Sequence, residues 1–292
     1  MERKITIHAP AKINLFLDIT ERLENGFHNI NSIMQTVDLY DTITITAADN
    51  DGLKINLTCD NEKISCGKDN LAYIAAEMFC NVNKITGQLI NIDIIKRIPL
   101  SAGLAGGSTD AAAVLIMLNK IFDTNLDLFR LGVNIGADVP FCLTGGTAIA
   151  NGIGEKLKIC PAFPHCYIII LIDNNQEIST KWAYERYDES NIGSNLIGFD
   201  KILKEFKKQN LQKICGNMYN VFEKIIIPDK LKDKFDNFGA LGRLMSGSGP
   251  AIFGIFDDKE KAQYAYDQLK IDDTIKVFLC EPVSRHGIPL HI

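Results

Sequence analysis

The sequence predicts an α+β protein built as two domains, and three observations lead there. The chain has 292 residues, more than one minimal core requires. Strand-like alternations and helical periodicities are interspersed along it without a strict strand–helix–strand rhythm. A segment with two prolines, Cys160–His165, leads into the continuous apolar run Tyr167–Ile172. It places the domain boundary near residue 160, giving domains 1–160 and 161–292.

The elements follow from local pattern. Residues 4–8 and 12–19 alternate as strands do, through Ile5 and Ile7 and then Ile13, Leu15, Leu17 and Ile19. Thr42–Thr46 and Leu53–Thr58 read as strands around an Asn50-Asp51-Gly52 turn. A helix is expected from an Asp69 cap to about Ile85, with Leu71, Ile74, Ala75, Met78 and Val82 on one face. Leu89–Arg97 reads as a strand. After a glycine-rich run come an apolar helix over Thr109–Phe122, a helix near 126–135 and a strand over Leu143–Ala150. Beyond residue 173 the pattern gives helices near 196–208, 217–226 and 258–270, with strands near 241–246, 250–256 and 275–281.

Composition narrows the function classes. Hydrophobic residues make up 46% and charged residues 23%, the balance of a globular protein in water. A net charge of −5 argues against a general nucleic-acid or anionic-membrane binder. It leaves a phosphate ligand open, because a ring of backbone N–H groups holds phosphate without net positive charge. The opening segment alternates and carries Lys12 and Asn14, so it does not read as a signal peptide, and no apolar run approaches a membrane span. The eight cysteines form no C-x-x-C pair and the five histidines do not cluster with them. Reduced thiols are therefore expected rather than a zinc site or a disulfide framework. These features predict a cytoplasmic protein with no nucleic acid, membrane or obligate protein partner and no protein-caged metal.

The glycine-rich run is the most informative segment. It comprises Pro99, Leu100, Ser101, Ala102, Gly103, Leu104, Ala105, Gly106, Gly107, Ser108 and Thr109, and then Asp110, Ala111 and Ala112. It joins a predicted strand to a predicted helix. Glycine lets backbone turn sharply and approach a ligand. Ser108, Thr109 and Asp110 suit a helix cap, and the alanines suit a closely packed helix. N–H donors at the positive end of a helix make a phosphate site. No Gly-Lys-Ser/Thr follows, so this is not a Walker A loop, and its Gly-x-x-Gly-Gly pattern is not the dinucleotide fingerprint. A purely structural strand-to-helix turn is the competing reading.

Candidate chemistry lies elsewhere on the chain. Asp138 follows Gly136-Ala137 and precedes Val139-Pro140, a backbone break at which a carboxylate either caps a helix or does chemistry. Lys12 lies in an apolar alternation, either on the solvent face of an edge strand or in a site. Asn14 shares its face by strand periodicity. Phe27-His28 offers an aromatic face and a hydrogen-bonding edge. Thr180 and Tyr184 lie four residues apart in a stretch that also reads as a plain amphipathic helix. Ser246-Gly-Ser-Gly-Pro250 forms either a tight hairpin turn or a ligand loop.

Taken together these motifs carry a resemblance. Pro99–Ala112 is similar to the central motif of the GHMP kinases. Ala9-Pro-Ala-Lys-Ile-Asn-Leu-Phe-Leu17 with Gly26-Phe-His28, and Gly136-Ala-Asp-Val-Pro-Phe141, resemble the 4-diphosphocytidyl-2-C-methyl-D-erythritol kinases within that superfamily. Ser246–Pro250 resembles its third motif. The resemblance implies an N-terminal domain of the ribosomal S5 domain 2 type and a C-terminal ferredoxin-like domain, with the site between them. It implies ATP-dependent phosphorylation of the substrate's 2-hydroxyl in non-mevalonate isoprenoid synthesis. Lys12 and Asp138 are the implied catalytic pair, and Pro99–Thr109 the implied ATP loop. Asn14, Phe27, His28, Asp138, Thr180 and Tyr184 are the implied substrate residues. Mg²⁺ would accompany ATP, held mainly by phosphate oxygens and water. The family more often has Tyr at the position of Phe27, which keeps stacking and loses a hydroxyl. Another GHMP kinase, such as a homoserine kinase, and a catalytically inactive ligand-binding homologue are the alternatives.

Overall fold

The computed structural model describes residues 2–283. Its first half is dominated by one long hairpin, β1 (Arg3–Arg22) and β2 (His28–Asp49). Then follow β3 (Lys54–Cys59), α1 (Leu71–Val82), β4 (Gln88–Ile95), α2 (Gly106–Ile121), α3 (Leu128–Ile135) and α4 (Val139–Thr144). Strands β5 (Thr147–Asn151) and β6 (Lys156–Ile159) complete that half. The second half runs β7 (Tyr167–Asp173), α5 (Thr180–Asp188), α6 (Leu196–Lys207), α7 (Leu211–Cys215), β8 (Tyr219–Asn220), α8 (Asp229–Lys232), β9 (Gly242–Met245), β10 (Ile252–Phe256), α9 (Lys259–Leu269) and β11 (Ile275–Cys280).

Two sheets result. The larger has seven strands in the order β3-β4-β2-β1-β8, with β5 paired to β2 and β6 to β5. Alternating isoleucines of β1, β2 and β4 (Ile7, Ile43, Ile45, Ile90, Ile92) face α1 and α2, whose Ala75, Phe79, Ala111 and Leu115 are fully buried against them. The smaller sheet has four strands in the order β11-β7-β10-β9, all pairs antiparallel. With helices between β7 and β9 and between β10 and β11, this is a ferredoxin-like β-α-β-β-α-β unit, as expected. The sheets share a core, because Ala11, Ile13 and Leu15 of β1 pack with Ile168, Ile170 and Phe253 of the smaller sheet. A strand from one half thus forms the floor between both.

Several elements differ from the sequence expectation for identifiable reasons. The two predicted N-terminal strands are one, because β1 crosses Pro10 with a register shift at Pro10/Ala11 rather than a break. Asn70, not Asp69, caps α1, accepting from Ala72 N at 2.9 Å, while Asp69 is engaged by Ser65 Oγ at 2.5 Å. Helix α1 ends at Val82, where Lys84 turns left-handed at φ 54°. Residues 143–144 belong to α4, and the strand begins only after Gly145 and Gly146, both at positive φ. The helix expected over 217–226 is a short strand and a 3₁₀ turn. There the Asn220 side chain caps Phe222 N at 3.0 Å and donates to Met245 O and Gly247 O at 2.7 and 2.8 Å.

Candidate active site

The glycine-rich run wraps tightly before α2. Ser101, Gly103 and Ala105 have φ of 50°, 75° and 59°. These left-handed turns bring the chain round so that α2 starts at Gly106, three residues before the expected Thr109. Ala105 caps it with no side-chain hydrogen bond. Ser108, Thr109 and Asp110 are therefore helical residues, not caps. The first-turn N–H groups of α2 have no intrahelical acceptor, and the helix dipole adds positive potential at the same place. The loop is clamped on both sides. Lys12 N donates to Leu104 O at 3.1 Å and Ala251 N to Ala102 O at 3.2 Å. Ser246 Oγ donates to Gly103 O at 2.9 Å and accepts from Asn14 N at 3.3 Å. The turn of the β9–β10 hairpin is thus both a tight turn and a wall of the site.

Gly103 has no room for a side chain. A Cβ there would lie 2.1 Å from Ser246 O, on a residue already at positive φ. Gly103→Ala is expected to cost about 1–2 kcal/mol for the left-handed conformation alone, with the overlap added. It should lower the melting temperature and raise KM for ATP at least tenfold, roughly, as the clamp opens. Thermal melts and initial rates check this, and an unchanged KM would contradict it.

Lys12 is not on the solvent face of an edge strand. The glycine-rich loop covers the edge of β1 there, through Lys12 N and Leu104 O, and Lys12 is 4% exposed. Its Nζ donates to Asn14 Oδ1 at 2.7 Å and lies 3.5 Å from Asp138 Oδ2. Asn14 in turn donates from Nδ2 to Ser32 Oγ at 2.9 Å, and Ser32 Oγ donates to Phe16 O at 2.7 Å. This chain fixes the amide so that its oxygen faces the ammonium. Asp138 stands at the N-cap position of α4 but makes no side-chain capping bond. Its carboxylate, 31% exposed, is turned to Lys12 and the cavity.

The other end of the site is aromatic. Phe27 sits at the tip of the β1–β2 hairpin and is 56% exposed. His28 Nε2 lies 2.6 Å from Asp188 Oδ1, and its ring centroid lies 4.9 Å from that of Tyr184, tilted by 32°. Tyr184 meets Phe222 edge-on at 5.0 Å. Thr180 Oγ1 is 3.0 Å from Ser248 Oγ. Thr180, Tyr184 and Asp188 recur every four residues on α5, so one helix face supplies all three.

A cavity of about 920 Å³ joins these groups, with room for a nucleotide and a second substrate. Its wall includes Lys12, Asn14, Phe27, His28, Pro99 to Ser108, Asp138, Thr180 and Tyr184. Of the catalytic, ATP-loop and substrate residues that the resemblance implies, Thr109 alone is off the wall. It is fully buried inside α2.

Residues 70–146 match the GHMP kinase N-terminal domain, and residues 202–272 the GHMP kinase C-terminal domain. A 4-diphosphocytidyl-2-C-methyl-D-erythritol kinase from Clostridium kluyveri is 43% identical over 272 residues, covering 90% of this chain and 95% of its own. The chain belongs to the 4-diphosphocytidyl-2-C-methyl-D-erythritol kinase family of GHMP kinases. A crystal structure of a 4-(cytidine 5'-diphospho)-2C-methyl-D-erythritol kinase superposes with a TM-score of 0.77 at 28% identity, covering 97% of this chain and 99% of that one. The homoserine kinase of Cytophaga hutchinsonii superposes with a TM-score of 0.76 at 19% identity, covering 98% and 95%, and so shares the fold.

In this GHMP kinase the structure adds groups that the sequence did not reveal. Arg22 and Asp188 line the cavity beside His28. Beneath the first turn of α2 lies a buried ion triad. Lys96 Nζ contacts Asp110 Oδ2 at 2.7 Å and also Asp41 Oδ2. Asp41 Oδ1 accepts from Arg97 N at 2.6 Å and Ile98 N at 2.8 Å. Burial pulls the Lys96 ammonium down, but the two carboxylates outweigh it and its pKa is raised. Asp41 and Lys96 carry no local motif, since their partners lie 55 and 14 residues away. Asp188 had one available signal, its four-residue spacing from Tyr184. Among the described residues no helix is long and apolar enough to cross a membrane. All eight cysteines are free.

Proposed function

We propose that this kinase transfers the γ-phosphate of ATP to the 2-hydroxyl of 4-diphosphocytidyl-2-C-methyl-D-erythritol. The observation that carries the reading is the position of the Lys12–Asp138 pair. It stands in one cavity between a phosphate-binding helix end and an aromatic end bearing His28 and Tyr184. The 43% identity to a relative of that name supports the substrate.

In this reading the N–H groups at the start of α2 hold the ATP phosphates. The substrate hydroxyl lies against Asp138, which orients it and accepts its proton. The alcohol oxygen bonds to the γ-phosphorus as the bond to the β–γ bridging oxygen breaks, and ADP leaves with that oxygen. Lys12, steered by Asn14, stabilises negative charge on the transferring phosphoryl group. The transition state of such transfers is loose, so alignment carries much of the rate. Phe27 and Tyr184 offer ring faces to a cytosine, His28 a polar edge, and Thr180 a hydroxyl. Among the described residues no cluster of three or more His, Cys, Asp or Glu side chains forms a metal cage. Mg²⁺ suits such a wall as a hard cation carried in by ATP, which phosphate oxygens and water would mainly hold, with the Ser108 hydroxyl as the protein oxygen donor. When bound it neutralises charge on the phosphates. Free, mostly buried cysteines fit a reducing cytoplasm.

The test is ATP turnover with the cytidyl substrate, against homoserine, mevalonate and galactose. Turnover confined to the cytidyl substrate is expected. Activity on another alcohol alone would sink the substrate assignment, and binding of ATP without turnover of any would sink the catalytic one.

A further inference from the structure

Asp188 ends α5, a place where a carboxylate is disfavoured by the negative end of the helix dipole. Two contacts offset this. Its Oδ2 lies 3.4 Å from Arg22 Nε and its Oδ1 lies 2.6 Å from His28 Nε2. The second contact has a chemical consequence. An ionised carboxylate only accepts hydrogen bonds, so the atom facing it at 2.6 Å must carry a proton. In a neutral imidazole the proton on Nε2 leaves Nδ1 bare, as an acceptor. Ring contacts also hold it: its centroid lies 4.9 Å from that of Tyr184, tilted by 32°, and it meets Tyr187 edge-on at 6.1 Å. His28 is 6% exposed and lines the cavity.

We propose that Asp188 is a positioning residue that sets base choice. By holding Nε2–H of His28 it presents Nδ1 as an acceptor for the 4-amino group of a cytosine. A uracil offers a carbonyl oxygen at that position, which would face the bare Nδ1 acceptor to acceptor. This rests on the reading that the cytidyl group occupies the aromatic end of the cavity. It goes beyond it in naming Asp188 as the group that, through His28, makes the pocket cytosine-selective.

The test uses the full-length protein and Asp188→Asn, which keeps size and removes charge. The Asn amide both donates and accepts, so it tolerates either tautomer of His28. Binding of CDP and UDP is measured by calorimetry, and kcat/KM is measured for the cytidyl substrate and its uridyl analogue. The wild type should prefer cytosine by about a hundredfold or more, as sites built around one hydrogen-bonding pattern do. In Asp188→Asn the preference should shrink at least tenfold, roughly, through KM, with kcat on the cytidyl substrate held within about threefold. Nitrogen-15 spectra of the imidazole give a readout that a purely structural role would not move. They should show Nδ1 unprotonated in the wild type and a mixed population in the variant. A protonated Nδ1 in the wild type, or an unchanged base preference in the variant, overturns the proposal. If the wild type turns over no cytidyl substrate, the functional reading fails. The CDP and UDP affinities and the tautomer still decide the role of Asp188.

Discussion

Asp138→Asn should lower kcat by about 10²–10⁴-fold, the range that a positioned acid–base group contributes, while affinity for ATP read by calorimetry should stay close to that of the wild type. The geometry supports both halves. Asp138 caps α4 without a side-chain hydrogen bond, so an isosteric amide leaves the helix start as it is. The loop proposed to hold ATP is fixed by Lys12 N, Ser246 and Ala251 N, none of which involves the Asp138 side chain. What the amide removes is a charge facing Lys12 at 3.5 Å and an acceptor able to take a proton. A comparison with Asp138→Ala separates the two roles. An amide oxygen still accepts the substrate O–H and aligns it, whereas alanine does neither. If alignment dominates, the Asn variant keeps at least tenfold, roughly, over the Ala variant; if proton transfer dominates, the two fall together. Lys12→Met should lose activity on a similar scale, and the double variant should lose far less than the product, because the two groups act as a unit. A kcat within tenfold of wild type, roughly, for Asp138→Asn removes Asp138 from the chemistry.

The motifs were legible because each is local. Pro99–Ala112, Ala9–Leu17 and Gly136–Phe141 encode backbone turns whose residue choices are visible in a short window. Helices α6 and α9 showed themselves by their periodicity, and Asn195 and Asp258 cap them. The start of α2 was missed for a physical reason. Ser108 and Thr109 look like caps, yet the left-handed Ala105 turns the chain earlier and makes the cap without a side chain. The unity of β1 was hidden by Pro10, which a register shift accommodates opposite Tyr40. The least legible groups were those defined by tertiary contact. Lys96 falls near the end of the expected strand Leu89–Arg97, in step with Ile90, Ile92 and Ile94, and nothing in that window marks a partner for its charge. Only the approach of Asp41 from β2 and Asp110 from α2 makes it the counter-charge of a buried cluster. Arg22 and Asp188, 166 residues apart by their numbers, meet only because α5 crosses the hairpin tip.

That buried cluster has the largest expected effect on stability. Asp41 is fully buried, and Lys96 and Asp110 are 8% and 4% exposed, so two carboxylates share one ammonium out of water. Lys96→Met strands both carboxylates. Removing one partner from a buried pair costs about 3–5 kcal/mol, which in a chain of this size lowers the melting temperature by about 10 °C. Asp110→Asn should act in the opposite direction, because it leaves one carboxylate for one ammonium. The sign follows from titration. Burial above all, with Asp41 adding and Lys96 opposing, pushes the Asp110 carboxyl up to about 7. The unfolded chain releases that proton near pH 4, roughly. Folding therefore favours the protonated form, and that contribution is full below about pH 4 and lost as pH rises through about 7. The wild type should lose stability relative to Asp110→Asn across that window, and denaturant titrations at a series of pH values read the difference. The site should feel both changes. A Cβ on Gly106 would lie 3.2 Å from Lys96 Nζ, so the triad sits directly under the N–H groups proposed to hold phosphate. Lys96→Met should then raise KM for ATP even below its melting range. A variant that melts as the wild type does would mean that water reaches these carboxylates, and the triad would hold nothing in place.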